Sequence, residues 1–273
     1  MAKPESFGDL GYRYGMSHSE GPFRYPAGLF TGFLAATAFF TRLPVDPRAA
    51  GAWRLADSAW AFPLVGAGIG GVAALALGLT QLIGLANWPA ALLSVLAGLV
   101  LTGALHEDGL ADTADGFFGG RDREEKLAIL RDSRHGTYGV LAIVLSVLLR
   151  VAALAGIGDV IHAGLALVAA HAASRAALPV AMRGLAPARP DGLGATAGTP
   201  RTLGAIAAAL IGTAIALMAL GPGRGAIALC LTGVIVFAMA ELARRQIGGY
   251  TGDVLGAFQQ IGEIVILLAA SAR

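Results

Sequence analysis

The sequence predicts an all-α, polytopic membrane helix bundle with seven clear transmembrane helices and one short N-terminal re-entrant or spanning segment. Three observations predict it. Of the 273 residues, 56% are hydrophobic and only 14% are charged, and the mean hydropathy is +0.68, too apolar for an ordinary soluble surface. No Asp, Glu, Lys, Arg or His occurs between residues 58 and 105. Apolar stretches also recur at the length of about 20 residues that a helix needs to cross a bilayer core of roughly 30 Å.

On that ruler the clear spans are 59–85, 89–105, 138–157, 160–182, 203–220, 225–240 and 254–270. Residues 28–41, bounded by Arg24 and Arg42, are short for a crossing and also suit a re-entrant or interfacial helix. Residues 1–26 read as a polar tail that lacks the order of charged, apolar and small-residue regions of a cleavable signal. The remainder, 27–273, reads as a single membrane-embedded catalytic domain with a cytoplasmic active-site loop at 106–139. Its small residues, as at 66–71, would let helices approach closely within one chain or between copies, so a homo-oligomer is compatible with the sequence. If the spans alternate, thirteen of the twenty Lys and Arg residues fall on one side, and the opposite connections receive only Arg224 and Arg273. The positive-inside rule places that basic side in the cytoplasm and the remaining apolar faces against membrane lipid. A net charge of +2 gives no reason to expect a nucleic-acid partner. The one cysteine, Cys230, excludes a disulfide within the chain and reads as a small buried hydrophobe.

Where the first long uncharged stretch ends, the run Leu105-His-Glu-Asp-Gly-Leu-Ala-Asp-Thr-Ala-Asp-Gly116 begins. As a helix it projects Asp108, Asp112 and Asp115 from one face, at i, i+4 and i+7. Like charges so placed repel one another, and a divalent cation relieves the repulsion; hard oxygen ligands favour Mg²⁺ or Mn²⁺. His106 beside them reads as a ligand, a general base or an interfacial helix-end residue. Gly116, Gly119 and Gly120 then break the helix, and 121–131 can form a short amphipathic one carrying Leu127, Ile129 and Leu130. Its charged residues Asp122, Arg123, Glu124, Glu125 and Lys126 read as solvated surface. In the following Arg131-Asp-Ser-Arg-His-Gly136, Arg131, Ser133, Arg134 and Gly136 suit phosphate oxygens at a helix N-terminus. Carboxylates that hold a metal beside groups that hold phosphates describe a phosphoryl-transfer site.

Two further segments contribute candidates. Gly248-Gly-Tyr-Thr-Gly-Asp253 opens the last span with a Gly-rich loop; Thr251 and Gly252 suit phosphate, and Asp253 suits a metal or the helix dipole. Arg42 ends the first apolar segment, where it either snorkels to headgroups or binds phosphate. Within the spans Arg150, His171, Arg175 and Glu263 are costly in hydrocarbon and should face the bundle interior, with Glu263 and Arg175 as a structural pair.

Four of these segments, namely His106-Glu-Asp-Gly-Leu-Ala-Asp-Thr-Ala-Asp-Gly116, Arg131-Asp-Ser-Arg-His-Gly136, Thr41-Arg-Leu-Pro44 and Gly249-Tyr-Thr-Gly-Asp-Val-Leu-Gly-Ala257, resemble in kind and order those of the cobalamin synthases, the adenosylcobinamide-GDP ribazoletransferases. Glu107 stands at a position that varies in that family and is often Leu. The resemblance implies Mg²⁺-dependent joining of adenosylcobinamide-GDP to α-ribazole or its 5′-phosphate, with release of GMP, at the bacterial cytoplasmic (inner) membrane. It implies metal ligation by Asp108, Asp112 and Asp115 with Asp132 or Asp253, a phosphate grip by Arg42, Arg131 and Arg134, and proton removal by His106 or a carboxylate of the cluster. A CDP-alcohol phosphotransferase-like lipid enzyme is the nearest rival, but Ala111 is followed by Asp112 where that pattern has Arg. A transporter is the other; it needs access from both sides, and the non-cytoplasmic turns carry almost no charge.

Overall fold

A computed structural model describes residues 28–45, 54–132 and 134–272. The expected polar tail, 1–26, and Ser133 lie outside them. In chain order the helices are α1 (Leu29–Phe40), a 3-10 helix (Leu55–Ala61) that runs into α2 (Phe62–Leu82), α3 (Asn87–Thr102), α4 (Leu105–Gly119), α5 (Arg123–Ile129), α6 (Thr137–Ile157), α7 (Val160–Gly184), the single turn α8 (Leu193–Thr196), α9 (Thr202–Leu220), α10 (Pro222–Ile247) and α11 (Gly252–Ser271). The only strand-like contact among the described residues is a parallel bridge between Pro187 and Tyr250, which ties the connection after α7 to the turn before α11. The protein is an all-α bundle of the multi-pass membrane type.

Six of these segments among the described residues are long and apolar enough to cross a membrane: Leu55–Leu82, α6, α7, α9, α10 and α11. A seventh crossing requires α3 and α4 to count as one, and they are bent by 91°. Here the structure departs from the expected span 89–105. The helix stops at Thr102 because Gly103 takes a left-handed conformation (φ 66°), and Ala104 follows it there (φ 57°), a conformation that costs an L-residue with a Cβ about 1–2 kcal/mol. The acidic run therefore starts a helix of its own, with His106 and Glu107 already buried, rather than lying in a surface loop. The segment 28–41 forms α1, whose 12 residues reach only about 18 Å at 1.5 Å per residue and are too short to cross. By contrast α10 extends beyond the expected 225–240, since Glu241 pairs with Arg244 (3.0 Å) and Arg245 (2.7 Å) on its surface and carries the helix past the apolar stretch.

Two helices form the interior. The apolar window of α7 is buried over 78% of its length and that of α11 over 61%, against 17% for α10. α2 and α9 pack along α7, while α4, α6 and α10 pack on α11. α2 approaches α7 so closely that a Cβ at Gly66 or Gly70 would overlap the backbone of His171 or Leu167. Gly66 and Gly70 thus serve packing within the chain, whereas a Cβ at Gly68 or Gly71 would meet nothing within 4 Å. Cys230, expected to be buried, is exposed on α10, because α10 turns most of its apolar surface outward.

The core has two apolar parts, one around Phe40, Phe62, Leu178, Tyr250 and Phe258, the other around Leu77, Val95, Leu154, Leu167 and Leu267. Between them lies a polar layer. Arg150 of α6 reaches Glu107 (2.9 Å) and Glu263 (3.2 Å), and His171 Nδ1 lies 3.1 Å from Glu263. Gln260 donates to Glu107, Gln259 to Glu263 and to Ser174. The expected Glu263–Arg175 pair is not formed; Arg175 NH1 is instead 3.0 Å from His171 Nδ1, because α6 brings Arg150 to Glu263 from the other side. Removing one member of a buried ion pair strands the other at a cost of about 3–5 kcal/mol. Arg150→Met should therefore destabilise the chain by that order in detergent unfolding, and Glu107→Leu added to it should recover part of the loss; an additive loss would show that the pair is not coupled.

Candidate active site

Four carboxylates ride on α4, and the bundle treats them differently. Glu107, near its N-terminus, is neutralised by Arg150. Asp115, near its C-terminus, is met by the start of α6: Gly136 N–H donates to Oδ2 (2.6 Å) and Gly139 N–H to Oδ1 (2.9 Å). The first N–H groups of a helix have no partner within it, and a carboxylate there also answers the helix dipole. Gly139 is required for this approach, since a Cβ would overlap the carboxylate.

Asp108 and Asp112, between these two, face His135, the residue just before the α6 N-cap. His135 Nε2 lies 3.7 Å from Asp108 Oδ1, and Nδ1 lies 3.5 Å from Asp112 Oδ1. One ligand atom from each of the three falls within 4.8 Å of the others, so the group can hold a metal ion. The donor set fits the cation expected from the stripe: two hard carboxylates suit Mg²⁺, which keeps several waters and takes its remaining ligands from substrate phosphates, and the imidazole adds a ligand that Mn²⁺ accepts more readily. Asp115, expected as the third ligand, has both oxygens engaged by backbone N–H groups and does not join this set. His135 takes that place. It stands in one of the expected motifs, yet its position follows from the Asp115 clamp on the adjoining helix start, which no spacing reveals.

Asp253 enters from the first turn of α11. Thr251 caps that helix through Val254 N–H (3.3 Å) and donates to Asp253 Oδ2 (3.1 Å), while Gly252 opens the turn. α11 crosses α4 at Gly109, where a Cβ would come within 2.8 Å of the Asp253 carbonyl oxygen. The charges of Asp108, Asp253, Asp115 and Asp132 all bear on Asp112, an anionic concentration set against few cations. Arg189 NH2 lies 3.9 Å from Asp253, and burial outweighs that neighbour in lowering the Arg189 pKa. Its NH1 is buried without a partner. Arg189 was not among the expected phosphate-binding residues; nothing in its local sequence distinguishes it from the other basic loop residues.

The remaining candidates are held by other partners. Asp132 is bound by Arg134 (2.6 Å), whose side chain and backbone hydrogen bonds hold its pKa below the usual carboxylate range. Arg131 pairs with Asp191 (2.7 Å). Both are exposed pairs screened by water, so phosphate oxygens can displace the carboxylates at little cost. Arg42 is exposed, with its backbone N–H on Leu101 O (2.7 Å) and its side chain beside Gly103. His106 is not brought to the carboxylates: it is buried, stacked on Phe40 at 5.6 Å, with Nδ1 3.5 Å from Arg175 NH2. Arg123 and Lys126, expected as solvated surface, hold α5 in place instead; Arg123 donates to Ile247 O (2.9 Å) and Ala188 O (2.6 Å), and Lys126 to Gln246.

Comparison with known proteins decides the family. Residues 32–271 match the family model described as cobalamin-5-phosphate synthase. The chain belongs to this family. Proteins named adenosylcobinamide-GDP ribazoletransferase are similar to it over most of their length: 51% identity to that of Bradyrhizobium diazoefficiens across 87% of this chain and 92% of the relative, 49% to that of Mesorhizobium japonicum across 85% and 90%, and 47% to that of Azorhizobium caulinodans across 86% and 92%. No solved structure matches. The family is one of transferases, and this member is an enzyme.

The Asp115 clamp makes a direct prediction. Asp115→Ala leaves two N–H groups without their acceptor and should destabilise the chain by about 1–3 kcal/mol, read as a lowered unfolding midpoint in detergent. An unchanged midpoint would mean that Asp115 does not anchor α6.

Proposed function

We propose that the chain transfers the adenosylcobinamide phosphate of adenosylcobinamide-GDP to α-ribazole or α-ribazole 5′-phosphate, releasing GMP, in assembly of the cobalamin nucleotide loop. The observation that carries this reading is the convergence of Asp108, Asp112 and His135, with no Lys or Arg among the described residues paired to either aspartate, in a member of a family whose relatives bear that activity in their names. Asp108, Asp112 and His135 would hold Mg²⁺ or Mn²⁺, which when bound offsets the charge of a diphosphate and of the departing phosphate. Asp253 adds negative charge beside them and Asp132 stands at the rim. Arg131, Arg134 and Arg42, with the backbone of Gly252, bind and orient the phosphates; the Gly136 N–H, expected to join them, is already given to Asp115, and Arg189 adds a guanidinium whose NH1 has no protein acceptor. A ribazole hydroxyl attacks the phosphorus linked to cobinamide, and the bond to the GMP oxygen breaks. Its proton passes to a carboxylate of the Asp108, Asp112 and Asp253 group rather than to His106, whose Nδ1 faces a guanidinium.

The same reading places the protein in the bacterial cytoplasmic membrane with this site on the cytoplasmic face, supported by the thirteen basic residues that share its side. The deciding assay follows GMP release by full-length protein in lipid nanodiscs. Asp112→Asn should lower turnover by about two orders of magnitude with insertion intact. Chelation should abolish activity, and Mg²⁺ or Mn²⁺ should restore it. Wild-type turnover by Asp112→Asn would remove the metal assignment, and CMP release from CDP-diacylglycerol in place of GMP release would favour the lipid-enzyme rival.

A further inference from the structure

A cavity opens beside the first turn of α11, lined there by Gly252, Leu255 and Gly256. It encloses about 510 Å³ of empty space, part of it continuous with the exterior, and its walls include Phe39, Phe40, Phe62, Met182 and Leu255. His106 is the one polar side chain among the described residues that line it. The aromatic wall is rigid. Phe40 packs edge-on against Phe39 (centroids 5.0 Å apart, 80°) and Phe62 (4.8 Å, 88°), and the His106 ring lies nearly parallel to Phe40 at 23°.

The hydrogen on that imidazole is placed by its neighbour. Arg175 NH2 lies 3.5 Å from His106 Nδ1, and a guanidinium can only donate. Nδ1 is therefore the acceptor and Nε2 carries the hydrogen. The His106 side-chain contact within hydrogen-bond reach of a described residue is the one at Nδ1. The cavity thus has apolar walls and, in His106, one side chain able to donate a hydrogen bond. That chemistry matches a planar bicyclic aromatic base with one acceptor nitrogen in its ring. It mismatches guanine, whose several donors and acceptors would be buried unpaired, and a corrin, whose rim of amides would meet the same penalty.

The location agrees with this match. Gly252 lines the cavity, and the next residue, Asp253, stands beside the carboxylates, its charge acting with that of Asp108. Gly252 is thus where the cavity adjoins the carboxylates, the side on which the sugar of a base seated here would lie. We propose that this cavity binds the benzimidazole ring of the nucleoside acceptor, with His106 Nε2–H donating to the ring nitrogen that does not carry the sugar. His106 is then a specificity-determining residue for the acceptor. This inference rests on the proposed activity, which it deepens.

The experiment uses the full-length chain in nanodiscs, adenosylcobinamide-GDP as donor, and two acceptors: α-ribazole and its analogue with C–H in place of the free ring nitrogen. Wild type should prefer α-ribazole by about ten-fold or more in kcat/KM, because a site built around a hydrogen bond rejects the analogue that lacks it. His106→Phe keeps a flat ring without the donor and should reduce that preference to about two-fold or less. Leu255→Trp fills the cavity and should raise the KM for α-ribazole about ten-fold while the KM for the donor changes less than about two-fold. Unchanged discrimination in His106→Phe, or an unchanged acceptor KM in Leu255→Trp, would overturn the proposal and leave the activity standing. Should wild type turn over no donor and acceptor pair, the activity fails, and the cavity is judged by saturation-transfer NMR with free benzimidazole. Binding lost in Leu255→Trp supports the cavity assignment; binding that is absent in wild type or unaltered in the variant overturns it.

Discussion

An acidic helix can sit within an apolar bundle only if most of its charge is answered by fixed partners, and α4 is held at both ends in this way. Arg150 answers Glu107 toward the interior, and the first N–H groups of α6 answer Asp115 toward the polar end. With its two ends fixed, the helix presents Asp108 and Asp112 in between, where His135 is the one basic side chain among the described residues within 4 Å of them. The site is thus a by-product of anchoring: the carboxylates that are structurally satisfied set the position of those that are not. The Asp115 clamp does this twice over, because it fixes the start of α6 and hence the residue preceding it, His135.

The layer around Arg150 explains how such a helix remains compatible with a membrane environment. Ionised groups inside a bilayer are costly unless they face one another, and here Glu107, Glu263, Arg150, His171 and Arg175 share one interior stratum between two apolar cores. Satisfaction is incomplete: Glu107 Oε2, Arg150 NH2 and Arg175 Nε have no protein partner. All three residues border a narrow internal cavity that also touches Thr102 and Gly98, a polar space of the type that ordered water fills. Arg175 joins this stratum to His106, so the interior network and the aromatic cavity near the site share one side chain.

Much of the architecture was legible because hydrocarbon length imposes a visible period on the chain; the long apolar helices α6, α7, α9 and α11 lie where apolar runs predict them. The break at Gly103 and Ala104 was not legible. Gly and Ala are common inside apolar helices, and the uncharged run continues through Leu105, so nothing local announces a 91° bend. The stripe of Asp108, Asp112 and Asp115 was visible from helical spacing, but spacing cannot say which carboxylate a neighbouring helix start will occupy. That depends on α6 meeting α4 at Gly139. For the same reason the partner of Glu263 could not be chosen between Arg150 and Arg175: both lie inside spans, and the choice is made by how α6 packs on α11. Arg189 and His135 gain their roles from loops whose placement is wholly tertiary.

The most direct test of this account is Mn²⁺ binding to the full-length chain in nanodiscs, followed by electron paramagnetic resonance without substrate. Ligation by Asp108, Asp112 and His135 predicts a bound Mn²⁺ signal that is lost in Asp108→Asn/Asp112→Asn, weakened in His135→Ala, and retained in Asp132→Asn. A signal unaffected by the double substitution would contradict the claim that these two aspartates are the pair the bundle leaves for a cation.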